Sequence, residues 1–389
     1  MISLSKRGKI ESFLAMDVMR EAGDLASRGA SICHMEVGQP GTPAPLLVRE
    51  RAKRALDEEL IGYTEALGQR SLRERIAVHY EEIYDVTIET SQVIITTGSS
   101  AGFILSFLAT LDAGDHVAIT RPGYPCYREI LKALDLIPVE IPVGFHNDWM
   151  PLTEEITQAI EEFDVKAILL ASPANPTGVV FEQDRLKSLI DLARRKNIWF
   201  FSDEIYHGLT YDRPDDTALS FLDHDDQQII VLNSFSKYYS MTGWRIGWMV
   251  VPKDLVRRME KLNQHLFISA PCLSQIAATA AFDARDELED LKKQYYRNRE
   301  ILTNGLIASG FDQFAPPDGA FYVYADVSEF TEDSLSFSKL LLREHGIAAS
   351  SGLDFDRIDG KHMMRFSYAG TEADVIEAVR RLKVAKFSR

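Results

Sequence analysis

From about residue 46 onward, the chain alternates between two hydrophobic patterns. Apolar residues three and four positions apart predict helices over roughly 46–60, 69–84, 99–112, 124–135, 152–162 and 181–195. Short apolar runs between them predict strands at 93–96, 116–119, 167–170, 198–201, 229–232 and 247–250. Several of these runs are apolar at every position, as in a sheet buried under helices on both faces. The pattern predicts an α/β fold with a mixed, mostly parallel sheet covered by helices.

The order of elements changes after residue 252. A long, mostly helical stretch at about 253–309 is expected to end at Gly310. Two strands and two helices are then predicted at 321–324, 363–367, 334–345 and 371–385. Residues 1–45 hold one helix, at about 17–29, and are too few to form a domain alone. We predict a large domain over 46–285 and a smaller α+β domain assembled from 1–45 and 286–389.

Composition excludes several classes of protein. The formal charge of −15 on 389 residues argues against nucleic acid or an anionic membrane as a partner, because both attract basic surfaces. An anionic ligand must therefore be held by a local cluster of donors. The three cysteines are scattered and no histidine spacing suggests a metal site. Neither a secretory signal nor a membrane-spanning stretch is expected, so we predict a cytoplasmic protein.

The block Ser234-Phe235-Ser236-Lys237 is the first candidate for chemistry. It follows a buried strand, where α/β enzymes place ligand sites, and Arg245 lies eight residues after the lysine. Two hydroxyls and a guanidinium can bind a phosphate, while the lysine presents an amine. A lysine on such a loop is usually only solvated, so the assignment depends on the neighbouring strand ends.

Three other predicted strands also end in polar residues. Asn175 lies between two prolines, Asp203 ends a strongly apolar run, and Ser99 and Ser100 open a helix whose free N–H groups can bind an anion. Each has an ordinary interpretation: an Asn-Pro turn, a helix cap and a serine cap. Four polar strand ends are nevertheless hard to attribute to four independent caps.

Together the motifs GYTEALG, TTGSSAG, RPGYP, SPANPTG, SDEIY, SFSK with GWRIG, and MRFSYA resemble those of the class I/II, fold type I, pyridoxal-phosphate aminotransferases. The resemblance is collinear from about Gly38 to Arg365 and covers nearly the whole chain. It implies that Lys237 carries pyridoxal phosphate as a Schiff base and shuttles the proton at the substrate Cα. It further implies that Asp203 faces the pyridine nitrogen, and that Asn175 and Tyr206 hydrogen-bond the phenolic oxygen of the ring.

The same resemblance assigns the remaining site residues. The phosphate contacts are expected from Ser99, Ser100, Ser234, Ser236 and Arg245. Tyr124 is expected to stack on the pyridine ring, and Tyr63 to reach the phosphate from the partner subunit of a homodimer. Arg365 is expected to bind the substrate α-carboxylate through two hydrogen bonds, with the Gly38 backbone close to the same carboxylate.

The predicted reaction is transfer of an amino group from an L-amino acid to a 2-oxo acid. Members that prefer dicarboxylic donors need a second cation, and none can be assigned from the sequence; Arg20, Arg28, Arg121 and the partner subunit stay open. The segment expected at the entrance, Phe13-Leu14-Ala15-Met16, is apolar, so neutral or aromatic donors are predicted. A pyridoxal-phosphate C–S lyase acting on cysteine-like substrates is the alternative. A cofactor-binding regulator is disfavoured, because 389 residues leave no room for an added DNA-binding domain.

Overall fold

The computed structural model describes residues 4–222 and 228–385. Within these ranges the strands are β1 (Cys33–His34), β2 (Val93–Thr96), β3 (His116–Arg121), β4 (Ile137–Pro142), β5 (Val165–Ala171), β6 (Trp199–Asp203), β7 (Ile229–Ser234), β8 (Gly247–Val250), β9 (Tyr322–Asp326), β10 (Ile347–Ala348), β11 (Ser350–Ser351) and β12 (Met363–Ser367).

In the same ranges the helices are α1 (Leu14–Ser27), α2 (Leu46–Glu58), α3 (Arg70–Tyr84), α4 (Gly98–Thr110), α5 (Pro125–Ala133), α6 (Thr153–Phe163), α7 (Gln183–Lys196), α8 (Lys253–Leu266), α9 (Cys272–Thr279), α10 (Arg285–Ile307), α11 (Ser334–His345) and α12 (Glu372–Val384). None of them is long and apolar enough to cross a bilayer.

The large sheet confirms the predicted α/β architecture. In the described part of the chain it has the strand order β2-β8-β7-β6-β5-β3-β4. β8 runs antiparallel to both of its neighbours, and the other strands are parallel to one another. The carboxyl ends of the parallel strands therefore meet at one edge of the sheet.

Alternate residues of the central strands enter two cores on opposite faces of this sheet. Ile95 and Phe200 belong to the core formed with α2, α3, α6, α7 and α9. Ile94 and Phe201 belong to the core formed with α4, α5 and α8. Each of these side chains is buried and contributes about 1.5–3 kcal/mol relative to an exposed position. Burial on both faces explains why these runs are apolar at every position.

The C-terminal part forms a second layered unit around an antiparallel sheet. Its strand order is β11-β12-β9, and the short β1 pairs in parallel with β10 beside it. α10, α11 and α12 pack around a further apolar core that includes Leu302, Leu341 and Val375. The helical stretch predicted at 253–309 is three helices, α8, α9 and α10, and Gly310 follows the last with φ of 91°.

The predicted domain limits, 46–285 with 1–45 and 286–389, remain a prediction. The outermost residues of those ranges, 1–3 and 386–389, and the internal residues 223–227 lie outside the described residues.

Candidate active site

A cleft of about 320 Å³ opens at the edge where the parallel strands end. Most of the predicted site residues line it although they are far apart in the sequence. They are Gly38, Ser99, Ser100, Tyr124, Asn175, Tyr206, Ser234, Ser236, Lys237, Arg245 and Arg365. Asp203 lies buried beneath this surface at the end of β6. The structure thus gathers the predicted constellation, with Tyr63 as the exception.

Lys237 follows β7 and presents its amine to the cleft. Its Nζ donates a hydrogen bond of 2.8 Å to the carbonyl oxygen of Gly38. Burial, with the positive charges of Arg365 and Arg245, lowers the pKa of Lys237 to about 8. A lysine with such a pKa is partly neutral near pH 7 and can act as a nucleophile or a base.

Asp203 is a buried carboxylate whose hydrogen bonds come from neutral donors. The Tyr127 hydroxyl donates to Oδ2, and the Ile205 N–H donates to Oδ1 at 3.0 Å. Burial raises the pKa of Asp203 to about 6. A buried carboxylate of this kind is stabilised by any cationic group that enters the cleft, including a protonated ring nitrogen.

Tyr127 was not predicted from the sequence as a site residue. It lies one turn after Tyr124 on α5, and its ring meets that of Tyr124 edge to face at 5.3 Å. Two aromatic residues three positions apart on a helix are typical of a hydrophobic core. The hydrogen bond from Tyr127 to Asp203 joins residues 76 positions apart, so no local sequence pattern could have predicted it.

The start of α4 forms an anion-binding cradle. Gly98 has φ of 71°, and a β-carbon there would overlap the guanidinium of Arg245. That guanidinium is held by a 3.1 Å hydrogen bond from Nη1 to the Thr242 carbonyl oxygen. The unpaired N–H groups of the first helical turn, the helix dipole and a guanidinium together suit a phosphate. Ser99 and Ser100 lie in that first turn.

Ser234 and Ser236 complete the cradle from the loop after β7. The Ser236 N–H donates to the Ser234 hydroxyl oxygen at 3.1 Å, which fixes the loop locally. Both residues are buried apart from the face that lines the cleft. Hydroxyl donors, backbone donors and Arg245 are therefore grouped at one end of the cleft, as the acidic overall charge requires.

Arg365 supplies a second guanidinium to the cleft. It lies on β12, where Nη1 donates to Asn175 Oδ1 at 2.9 Å and Nη2 donates to the Glu36 carbonyl oxygen at 2.5 Å. The rings of Tyr322 and Phe355 lie 4.4 and 4.7 Å from its guanidinium carbon. Within the described residues its buried Nε has no hydrogen-bond partner. An oriented guanidinium with spare donors is suited to a carboxylate.

Gly38 is required by close packing against an aromatic hydroxyl. A β-carbon at this position would overlap the hydroxyl of Tyr322. That hydroxyl exchanges a 2.7 Å hydrogen bond with the hydroxyl of Tyr206. Tyr322, like Tyr127, was not predicted from the sequence as a site residue, because it lies in a strand whose pattern is typical of the hydrophobic core.

The mouth of the cleft is apolar. Phe13 meets Tyr124 edge to face at 6.2 Å, and Met16 and Met19 of α1 line the same surface. α1 is held there by Asp354, whose carboxylate accepts hydrogen bonds from the N–H groups of Leu14 and Ala15 at 2.7 and 2.6 Å.

Tyr63 is placed away from the cleft of its own chain. Its side chain is 88% exposed, and the neighbouring Leu60 is 92% exposed. A single chain therefore leaves this apolar loop in solvent, and Tyr63 contributes nothing to the site of its own subunit.

These features fit pyridoxal phosphate group by group. The anion cradle matches its phosphate, the buried Asp203 matches a protonated ring nitrogen, and the amine of Lys237 matches its aldehyde. Arg365 then remains for the carboxylate of an amino acid. The fold and the site define a pyridoxal-phosphate enzyme that acts on amino acids.

Comparison with known proteins gives the family. Residues 32–382 match the family described as aminotransferase class I and II, and the chain belongs to it. A valine–pyruvate aminotransferase of Mycobacterium tuberculosis is 43% identical over 380 residues, covering 97% of this chain and 96% of that protein. An aspartate aminotransferase of Pyrococcus horikoshii is 32% identical over 387 residues, with 99% and 96% covered.

A solved structure leads to the same conclusion. The crystal structure of an aminotransferase from Mycobacterium tuberculosis has a TM-score of 0.94 to this chain at 42% identity, and 98% of each chain is covered. The protein is a pyridoxal-phosphate-dependent aminotransferase of fold type I, which moves amino groups between amino acids and 2-oxo acids. These comparisons give no support to the C–S lyase alternative.

Proposed function

We propose that this aminotransferase prefers neutral, apolar or aromatic L-amino acids as donors and that Lys237 carries its cofactor. The observation that carries the donor preference is the distribution of cations in the cleft. Among the described residues that line it, the cationic side chains are Lys237, Arg245 and Arg365. Each of these three cations is assigned to another group, so none remains to bind a second carboxylate of the substrate.

The proposed tasks follow from the contacts of each residue. Lys237 holds the cofactor covalently and, once released by the substrate, its neutral amine takes the proton from the substrate Cα and returns it. Asp203 stabilises a proton on the ring nitrogen. When bound, the cofactor supplies an electron-withdrawing ring that favours loss of the Cα proton. The cofactor phosphate is proposed to contact Ser99, Ser100, Ser234, Ser236 and Arg245.

The other polar residues orient the two ligands. Asn175 uses Oδ1 to hold Arg365, which leaves its amide N–H₂ to donate to the phenolic oxygen of the ring, together with the Tyr206 hydroxyl. Arg365 binds the α-carboxylate near Gly38. Tyr124, at the mouth between Phe13 and Tyr127, covers the ring face.

The arginines that the sequence left open as second-carboxylate cations are engaged elsewhere or lie outside the cleft. Arg121 is buried, with ion pairs of 3.3 Å to Asp356 and 3.4 Å to Asp359. Arg20 is paired with Asp17 on the surface of α1 at 2.9 Å. Neither they nor Arg28 line the cleft. Burying a second carboxylate without a cation costs several kcal/mol, so a dicarboxylic donor is disfavoured within one chain.

The names of relatives support this preference in part. The relative that is 43% identical is named for valine and pyruvate, neither of which has a second carboxylate. The Pyrococcus horikoshii relative is named for aspartate but is 32% identical. The more similar relative therefore agrees with the apolar surface of Phe13, Met16 and Met19.

Steady-state kinetics test the donor preference. Valine, leucine, methionine, phenylalanine, aspartate and glutamate are compared as donors, with pyruvate and 2-oxoglutarate each used as acceptor. We expect the best neutral donor to exceed aspartate in kcat/KM by at least about tenfold, since each 1.36 kcal/mol is tenfold in rate. Met16→Arg places a cation at the mouth of the cleft and should reduce the ratio of kcat/KM between the best neutral donor and aspartate. Aspartate as the best donor by tenfold would refute the preference.

We propose further that the enzyme works as a homodimer in which Tyr63 reaches the phosphate of the partner's cofactor. The exposed, apolar loop of Leu60 and Tyr63 supports this, because a surface of this kind is typical of an interface. Mixing Lys237→Ala subunits with Tyr63→Phe subunits should restore part of the activity, since one site of each heterodimer is then free of both lesions. If the subunits exchange and no activity is recovered, Tyr63 does not reach the active site of the partner subunit.

We propose two further properties, the limits of the two units and the cellular compartment. The large unit is proposed to span 46–285, with residues 1–45 and 286–389 forming the unit that carries Arg365. The protein is proposed to work in the cytoplasm. Limited proteolysis of the holoenzyme and fractionation of the source cells test them.

A further inference from the structure

A second cavity, of about 400 Å³, lies between α3 and α10, outside the cleft already described. One face of α3 lines it with Arg75, His79 and Ile83, which follow one another at helical spacing. One face of α10 lines it from the other side. The loop after β6 closes one end. Nothing in the proposed reaction uses this cavity.

Aromatic rings form much of its wall. Tyr84, Tyr238 and Phe282 line it, and Phe282 lies 5.1 Å from the ring of His79. Burial lowers the pKa of His79 to about 3, so this ring is neutral at pH 7. An apolar or aromatic side chain of a ligand finds matching surface here.

Two cations of α10 stand on one side of the cavity. Arg285 and Lys292 are seven residues apart, which places them on the same face of the helix, with Leu288 between them. Within the described ranges the ion pairs of this helix involve Lys293, Arg297 and Arg299 and not these two cations. Arg285 and Lys292 are available to a carboxylate.

A carboxylate, Asp215, also lines the cavity, from the loop after β6. Asp215 accepts a 2.7 Å hydrogen bond from the Gly208 N–H at Oδ2. Its Oδ1 is buried and has no hydrogen-bond partner among the described residues. A buried acceptor without a donor is costly, and an ammonium group would satisfy it. The cavity is thus lined by a carboxylate, two cations and several aromatic rings.

The wall of this cavity is shared with the active site. Tyr238, Asn233 and His207 line the cavity, whereas the adjacent Lys237, Ser234 and Tyr206 line the cleft. The Tyr238 hydroxyl donates to Glu289 of α10 at 2.7 Å. Tyr238 and Lys237 are neighbours in the chain, so the cavity and the cleft share one short peptide.

We propose that this cavity is a second binding site for a free apolar or aromatic α-amino acid, whose occupancy modulates transamination. The α-carboxylate contacts Arg285 and Lys292, the ammonium group contacts Asp215, and the side chain packs on the rings. The site is independent of the donor preference proposed above.

Calorimetric titration of borohydride-reduced holoenzyme with L-phenylalanine tests this proposal, because the reduced enzyme binds without turnover. We expect binding that weakens at least about tenfold in the Arg285→Ala/Lys292→Ala double variant, since hydrogen bonds to charged groups are lost. Phenylalanine binding should persist in Arg365→Ala. It should also persist in Lys293→Ala, the control variant, which removes one positive charge of α10 that is exposed and paired with Asp290. 3-Phenylpropionate and 2-phenylethylamine, each lacking one charge, should bind at least about tenfold more weakly.

Two results overturn the proposal. One is loss of all phenylalanine binding in Arg365→Ala, which places it in the active site. The other is unchanged binding in the double variant with an unchanged melting temperature. Since Arg285 is exposed and Lys292 partly exposed, the double variant is expected to fold, and the two analogues test the wild-type protein directly.

Discussion

The two walls of the catalytic cleft are built in different ways. The sheet-edge wall consists of residues that end a strand of the large sheet or follow one within a few positions: Ser99, Asn175, Asp203, Ser234 and Lys237. The opposite wall is assembled from distant segments: Phe13 and Met16 near the N-terminus, Gly38, and Arg365 near the C-terminus. The first wall is polar and is proposed to hold and tune the cofactor, and the second is proposed to bind the amino acid. Chemistry and specificity are therefore separable by mutation.

The largest effect is expected at the centre of the sheet-edge wall. Lys237→Ala should lower kcat by at least about 10⁴, since it removes both the attachment and the base at Cα. Cofactor binding should persist through the phosphate cradle. The measurement is single-turnover kinetics with spectroscopic titration of the cofactor, and Lys253→Ala, an exposed lysine paired with Glu89, is the control. A kcat within tenfold of wild type would contradict the assignment.

The next effect in size belongs to the buried carboxylate of the same wall. A charge pair at about 4 Å and an effective dielectric of 20 is worth about 4 kcal/mol, so Asp203→Ala should lower kcat about a thousandfold. Tyr127→Phe, which removes one hydrogen bond to the same carboxylate, should cost about tenfold. Presteady-state rates of Cα deprotonation check both. If Asp203→Ala keeps near-normal kcat, the carboxylate is only a structural cap.

The opposite wall should respond in KM more than in kcat. Arg365→Ala removes the charge partner of the α-carboxylate, and we expect kcat/KM to fall about 10²–10³, mainly through KM. Asn175 Oδ1 and the Glu36 carbonyl oxygen lose their donor as well, so melting temperatures must be compared. Arg380→Ala, an exposed arginine paired with Glu377, is the control. A loss confined to kcat would mean that Arg365 serves the chemistry rather than binding.

The same contrast explains what could be predicted from the sequence. The residues of the sheet-edge wall could be predicted locally, because an apolar strand that ends in polar residues is visible in one short segment of the sequence. β4 was missed for a local reason too. It contains Pro138 and Pro142, which are tolerated only because β4 pairs with β3 alone, at the edge of the sheet.

The opposite wall was accessible from the sequence only through the family resemblance. Nothing near Arg365 indicates that Glu36, more than 300 residues away, accepts its hydrogen bond. Tyr127 and Tyr322 were missed because a buried tyrosine in a helix or strand looks like core until its hydroxyl partner is known. The two-residue strands β1, β10 and β11 are too short for any periodicity to show.

The smallest effect links the two walls through the pKa of Lys237. That pKa is lowered to about 8 from an ordinary value of 10.5, chiefly by burial and then by the positive charges of Arg365, on the opposite wall, and of Arg245. Only the neutral amine attacks the aldehyde of free pyridoxal phosphate. The rate of cofactor capture by the apoenzyme should therefore rise about tenfold between pH 7 and 9, with its midpoint near pH 8, and level off above about pH 9. The phosphate titrates near pH 6 and does not interfere.

An unshifted lysine would instead give a rise of about a hundredfold between pH 7 and 9 without a plateau. Stopped-flow absorbance measures the rate. In Arg365→Met the midpoint should move upward, because the neutral variant no longer opposes the charge on Lys237, whereas Arg380→Met should leave it unchanged. A midpoint near 10 in the wild type would contradict the lowered pKa. A midpoint that is unchanged in Arg365→Met would show that burial and Arg245 set the pKa of Lys237 without Arg365, and that the two walls are independent.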